Sequence, residues 1–226
     1  MINTKNKSIK SKDQISKLRS KMKLVCSRLS KVITDPKPEL IYYNNFQFLI
    51  SVVLSAHSTD KTVNKCMEPY YKKGFDINWV LNLSILELER IIKPIGLYKN
   101  KARFVMDIAK KLHSDFNDSV PNTRDELLTL PGVGEKTASV VLSCLFNQPF
   151  FPVDTHVYRL TKRLGFHSFE KKDITKVEPL LLKITDIKFL PAAHHLFLLY
   201  GRYTCKSQNP ICKECVIKDL CEYISH

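Results

Sequence analysis

One short stretch, Leu-Pro-Gly-Val-Gly-Glu-Lys-Thr-Ala from Leu130 to Ala138, constrains this chain more than any other. Pro131, Gly132 and Gly134 are poor residues for a helix interior, yet helix signals flank them on both sides. Upstream, Thr123 and Glu126 have capping-box spacing at the start of a short helix. Downstream, Thr137 to Phe146 is apolar and small and reads as a second helix. Gly132 and Gly134 permit positive φ angles that a Cβ resists. The pattern is helix, tight hairpin, helix. The N–H groups that open the second helix, at the positive end of its dipole, suit a phosphate. A plain turn between two helices has the same residues. Lys136 favours the first reading: the dipole disfavours a cation in a first helical turn, whereas a lysine used as a neutral amine gains from that position.

Charge is consistent with a polyanion partner. The 226 residues carry 36 Lys and Arg against 22 Asp and Glu, a formal charge of +14. An excess of that size attracts nucleic acid with an affinity that falls as salt rises. Lysine dominates the basic residues, so charge alone makes nucleic acid plausible and no more. No apolar run approaches the ~18 residues of a membrane span, and no apolar signal core opens the chain. Residues 1–13 are lysine-rich without apolar periodicity and read as a flexible basic arm.

Seven cysteines, an odd number without a secretory signal, argue against a disulfide framework and for a reducing compartment. Cys26, Cys66 and Cys144 stand singly in helical contexts and read as core thiols. The other four crowd the C-terminal end as Cys205-x6-Cys212-x2-Cys215-x5-Cys221. Four clustered thiols in a reducing compartment point to a metal site. Structural zinc usually shows two Cys-x-x-Cys pairs and only one is present; an iron–sulfur cluster takes four thiolates at looser spacing.

Helical periodicity accounts for most of the chain. Ile15, Leu18, Met22, Val25, Leu29 and Val32 recur at three- and four-residue steps. Phe46 to Ala56 is rich in Ile and Val, but its length and the Ser58-Thr59-Asp60 cap signal favour a buried helix over a strand. Further helices are expected at 60–71, 77–83, 86–92, 101–116, 155–164, 170–184 and 191–203. Ser84 and Glu87 form a second capping box. Asp154 is a natural N-cap. Pro94 and Gly96 break the chain and are expected to expose Ile95 and Leu97 on a loop. The fold class is all-α.

Five segments together carry a family resemblance: the 130–138 hairpin, Val153-Asp-Thr-His-Val-Tyr-Arg159, Leu54-Ser-Ala-His-Ser-Thr-Asp60, Ile95-Gly-Leu-Tyr98 with Lys101-Ala102, and the cysteine run. Spread over about residues 45 to 223, they resemble the iron–sulfur helix-hairpin-helix DNA glycosylases of the endonuclease III family. The resemblance implies two lobes. A six-helix barrel would cover residues 38–148, with the helix-hairpin-helix at 123–146. Residues 14–37 and 149–226 would form a helical iron–sulfur domain whose Cys205, Cys212, Cys215 and Cys221 hold one [4Fe–4S] cluster of structural role. Lys206, Lys213 and Lys218 would then be held as a phosphate-binding surface.

The resemblance also implies the chemistry. Lys136 would be the amine nucleophile and Asp154 the carboxylate that stabilises the cationic sugar. DNA contacts fall to His57, Ile95, Leu97, Lys101, Gly132, Val133, Gly134 and Thr137. His57 stands where the family usually has glutamine, a residue that fills the gap left by a flipped base; Leu97 would be the wedge pushed into the duplex. Lys99 and Lys101 would neutralise phosphates. The implied activity is that of a base-excision-repair bifunctional glycosylase and abasic-site lyase. Such an enzyme would remove oxidised pyrimidines such as thymine glycol from duplex DNA and cut 3′ to the abasic site. The implied protein is a monomer acting on damaged or abasic DNA in the bacterial cytoplasm, on the nucleoid. A mismatch adenine or thymine glycosylase usually lacks the hairpin lysine. A non-enzymatic helix-hairpin-helix module needs neither Lys136 nor Asp154, and an iron–sulfur redox protein does not need the hairpin.

Overall fold

A computed structural model describes residues 12–224. These residues are helical and contain no strand: α1 Lys12–Val32, α2 Asn45–Ser55, α3 Asp60–Tyr71, α4 Ile77–Leu81, α5 Ile85–Ile92, α6 Tyr98–Asp115, α7 Arg124–Leu128, α8 Glu135–Phe146, α9 Thr155–Arg163, α10 Val177–Ile184 and α11 Leu190–Tyr203. The chain divides into two compact units, residues 37–152 and the pair of segments 1–36 and 153–226. The expected basic arm lies outside the described residues except for Lys12 and Asp13. Those two are helical: they open α1, where Asp13 pairs with Lys17 at 3.0 Å.

The 37–152 unit is built around α2. Asn44 caps it by accepting from the Gln47 N–H at 2.8 Å, and Phe46 to Leu54 are all buried. A helix apolar on every face belongs inside a core, which is why a Val- and Ile-rich segment is not a strand here. Its two buried polar residues are satisfied. The Gln47 amide donates to the Phe75 carbonyl at 3.0 Å and accepts from the Tyr43 N–H at 2.8 Å; the Ser51 and Tyr71 hydroxyls are 2.8 Å apart. Helices α3 and α8 pack on α2, and α4 and α5 pack on α6. Each fully buried Leu, Ile or Phe of this core contributes about 2 kcal/mol. The unit holds seven helices, α2 to α8, among them the hairpin's own first helix, α7, and the short α4. The capping box at Ser84 and Glu87 is complete.

In the other unit, α11 packs on α9 and α1, and α10 on α1. Helix α1 buries Ile15, Met22, Val25, Cys26 and Leu29, while Val32 is exposed. Burial pushes the Cys26 thiol up to about 12, and the same cause takes Cys144 of α8 to about 12. Both are inert thiols. The expected single helix over 170–184 is instead a 3-10 segment, Lys171–Lys176, kinked at Asp173, followed by α10. Pro179 explains the division. Deep in a helix it removes a hydrogen bond and clashes with the preceding turn, but it is tolerated in a first turn, and it lies two residues after Val177.

Candidate functional site

The hairpin is assembled by local chemistry. Thr123 caps α7, accepting from the Glu126 N–H at 3.4 Å, and the Leu130 N–H closes the helix end on the Leu127 carbonyl at 3.1 Å. Gly132 has φ +76. A Cβ there would also meet the Phe104 ring at 2.7 Å, so both backbone angle and space require glycine. Gly134 does not share this role: its φ is −100, an ordinary extended N-cap value. Helix α8 starts at Glu135, two residues earlier than Thr137, with no side-chain bond at its cap. Its first N–H groups are therefore open to an outside acceptor.

Val133 is used differently from expectation. Its side chain is buried and its N–H is already donated to the Leu130 carbonyl at 3.1 Å. The N–H groups from Gly134 to Thr137, by contrast, have no partner within α8. Glu135 pairs with Arg124 across the hairpin, and Arg124 also donates to the Ser139 hydroxyl at 3.3 Å. That pair ties α7 to the first turn of α8. Lys136, the second residue of α8, is exposed.

Asp154 is the N-cap of α9. One carboxylate oxygen, Oδ1, accepts from the His156 N–H at 2.9 Å and the Val157 N–H at 2.8 Å. The two bonds fix the carboxylate's orientation, and Asp154 is half-buried. Beside it, burial holds the His156 imidazole below its usual range, opposed by the Asp154 charge.

Two turns of the 37–152 unit present single side chains on left-handed backbone. His57 follows α2 with φ 55, and Leu97 precedes α6 with φ 61. Both are exposed, Leu97 to 62%. Two neighbours depart from expectation. Ile95 is 1% exposed, so its side chain belongs to the core and is out of reach of DNA. Lys101 is 4% exposed and lies a full turn inside α6, which starts at Tyr98. Its ammonium donates to the Leu54 carbonyl at 2.9 Å and the Ser58 hydroxyl at 3.2 Å. Lys99 remains exposed.

The cysteine loop follows α11 and contains little regular structure, only a 3-10 turn at Lys218–Leu220. Cys205, Cys212, Cys215 and Cys221 line one apolar pocket with Leu160 and Ile217. Among the described residues, no three His, Cys, Asp or Glu side chains are grouped as a site for a metal ion. The donor set nevertheless suits thiolates. Arg163 donates to the Cys205 sulfur at 3.3 Å, and the Tyr200 hydroxyl donates to the Cys215 sulfur at 3.3 Å. Burial raises the Cys205 thiol against the Arg163 bond and charge that lower it. Arg28 of α1 reaches the loop as well, donating to the Val216 carbonyl at 3.1 Å and pairing with Asp219. Lys206, Lys213 and Lys218 are exposed. The sequence does not reveal these partners: Arg28 and Arg163 lie far from the cysteines in the chain, and Tyr200, only 15 residues before Cys215, carries no motif that marks it.

Residues 50–185 match the family model of the HhH-GPD superfamily base excision DNA repair proteins. Endonuclease III of Rickettsia felis is 45% identical over 194 residues, 86% of this chain and 90% of that protein. Endonuclease III of Escherichia coli K12 is 39% identical over 199 residues, 88% and 93% of the two chains. A solved structure of a trapped covalent intermediate between endonuclease III and DNA superposes with a TM-score of 0.84 at 40% identity, covering 91% of this chain and 96% of that one. The chain belongs to the endonuclease III family. No helix among the described residues is long and apolar enough to cross a membrane.

Proposed function

We infer that this protein is a bifunctional DNA glycosylase and abasic-site lyase of base excision repair, with Lys136 as its nucleophile and Asp154 as its charge-stabilising carboxylate. Its substrate is duplex DNA bearing an oxidised pyrimidine such as thymine glycol, or the abasic site left after such a base. The observation that carries the reading is an exposed lysine in the first turn of α8, behind a hairpin whose opening N–H groups have no side-chain cap.

The Lys136 amine attacks C1′ of the damaged nucleotide as the glycosidic bond breaks, and the base leaves. Ring opening gives an imine between Nζ and C1′. The imine acidifies the C2′ hydrogen, and loss of that proton expels the 3′ phosphate by β-elimination. Asp154 stabilises positive charge developing on the sugar and assists proton movement. Its two backbone hydrogen bonds keep the carboxylate oriented without occupying Oδ2. The N–H groups from Gly134 to Thr137 hold a backbone phosphate, a contact that positions the strand without reading its sequence. Gly132 lets the hairpin turn at φ +76 against Phe104, and Gly134, with open space where a Cβ would be, leaves room for that phosphate. His57 enters the space left by the flipped base, and Leu97 wedges into the stack beside it.

Cys205, Cys212, Cys215 and Cys221 would hold one [4Fe–4S] cluster, with Arg163 and Tyr200 donating to two of the sulfurs. When bound, the cluster supplies a structural cross-link for a loop with little core of its own. Lys206, Lys213 and Lys218 on that loop face solvent and add to the phosphate-binding surface.

The test is a duplex carrying one thymine glycol. The protein is expected to release the base and leave a nick 3′ to the site. Tight binding with no base release, on thymine glycol and on other oxidised pyrimidines alike, contradicts the enzymatic reading and supports a binding module.

A further inference from the structure

We propose that Lys101 is a positioning residue that locks the His57 turn and the Leu97 turn into a single rigid element for probing DNA; the proposal rests on the roles assigned to those two turns above. The two turns are distant in sequence but adjacent in the 37–152 unit. Gly96 lies against the first turn so closely that a Cβ on it would meet the His57 carbonyl oxygen at 3.3 Å and the Ser58 hydroxyl at 3.6 Å. Lys101 spans the same junction from inside. Its backbone N–H bonds the Leu97 carbonyl at 3.1 Å, and its ammonium bonds the Leu54 carbonyl at 2.9 Å and the Ser58 hydroxyl at 3.2 Å. One residue therefore grips the chain three positions before His57, one position after it, and at Leu97 itself.

A charged group is an expensive way to fill that space. Neither oxygen it meets carries a charge, and burial pulls the amine below its usual range. A methionine would occupy similar volume with no desolvation penalty. What the ammonium adds is direction: it satisfies a carbonyl left open at the C-terminal end of α2, where the helix dipole favours a cation. His57 and Leu97 both sit at positive φ, which their side chains disfavour. Backbone of that kind persists only where its surroundings enforce it. Two side chains that enter a duplex together lose efficiency if either turn must first be ordered.

The test is a mutant cycle read by single-turnover base release from thymine-glycol duplex. Lys101→Met is made in the wild-type protein and in the His57→Ala/Leu97→Ala protein. In the wild-type background the substitution is expected to slow release about tenfold, and in the double-alanine background less than about twofold, because the element it positions has lost its side chains. Equal slowing in both backgrounds, or none in the wild type, overturns the proposal and leaves Lys101 as ordinary core support. If His57→Ala/Leu97→Ala itself leaves release unchanged, the reading of the two turns fails and the proposal falls with it. Should Lys101→Met not fold, Ser58→Ala removes one acceptor at a partly exposed site. It is expected to slow release about threefold, again only where His57 and Leu97 are present; the same cost in both backgrounds overturns the proposal.

Discussion

The hairpin at 130–138 and the cysteine loop at 205–221 are both irregular segments joined to a helix, and they are held in opposite ways. The hairpin is fixed by residues within or next to it: the Thr123 cap, the φ +76 of Gly132, and the Arg124–Glu135 pair. The loop is fixed chiefly by side chains from distant parts of its unit, Arg28 from α1 and Arg163 from α9, joined by Tyr200 from the adjacent α11. Local interactions suffice where the task is to present one exposed lysine and the open N–H groups of a helix start. A loop with few apolar residues needs cross-links, and a bound cluster would be the strongest of them.

That contrast can be broken at several points. The largest effect is expected at the loop. Cys212→Ala should reduce bound iron from about four atoms per chain to near zero, and with it remove the folding free energy that the metal supplies to the loop. Limited proteolysis should then cut within 153–224 while 37–152 stays resistant. Equal resistance of both segments would show that the loop does not depend on metal.

Acid should separate the units next. Burial holds His195 of α11 at about 4 in the folded protein, against about 6.5 unfolded. The unfolded chain therefore binds the extra proton first. Stability from this group is complete above about pH 6.5, is lost as pH falls toward 4, and amounts to about 3 kcal/mol. Thermal melts from pH 7 to pH 4.5 should show the loss, and His195→Gln should flatten it.

Asp154→Asn tests chemistry apart from folding. Asparagine caps a helix as well as aspartate does, so the melting temperature should barely move while single-turnover base release falls about 10²-fold. A matching loss of stability would reduce Asp154 to its cap. The smallest effect is expected for Gly132→Ala, about 1–2 kcal/mol for a side chain forced to positive φ, with the contact at Phe104 added. Its cost should stay local, leaving cysteine-loop proteolysis unchanged.

How legible these features were follows from how far each interaction reaches. The Thr123 and Asp154 caps, the Ser84–Glu87 box and the all-helical fold are read from neighbours within four residues, and the structure contains them. The burial of Lys101 was not legible, because Leu54 and Ser58 stand more than 40 residues away and lysine is ordinarily a surface residue. Ile95 differs: isoleucine is ordinarily a core residue, and although its loop is exposed its side chain turns into the core. Gly134 shows that a glycine in a turn motif need not use its conformational freedom. Pro179 is a local signal that divides 170–184, because a proline is tolerated only in the first turn of the helix that begins at Val177.

The most direct measurement is borohydride trapping on a duplex with one thymine glycol, comparing wild type with Lys136→Ala. The account predicts a covalent protein–DNA adduct in the wild type, with the mass added at Lys136, and none in the variant. An adduct of equal yield in the variant, or base release by the wild type with no adduct, contradicts Lys136 as the nucleophile.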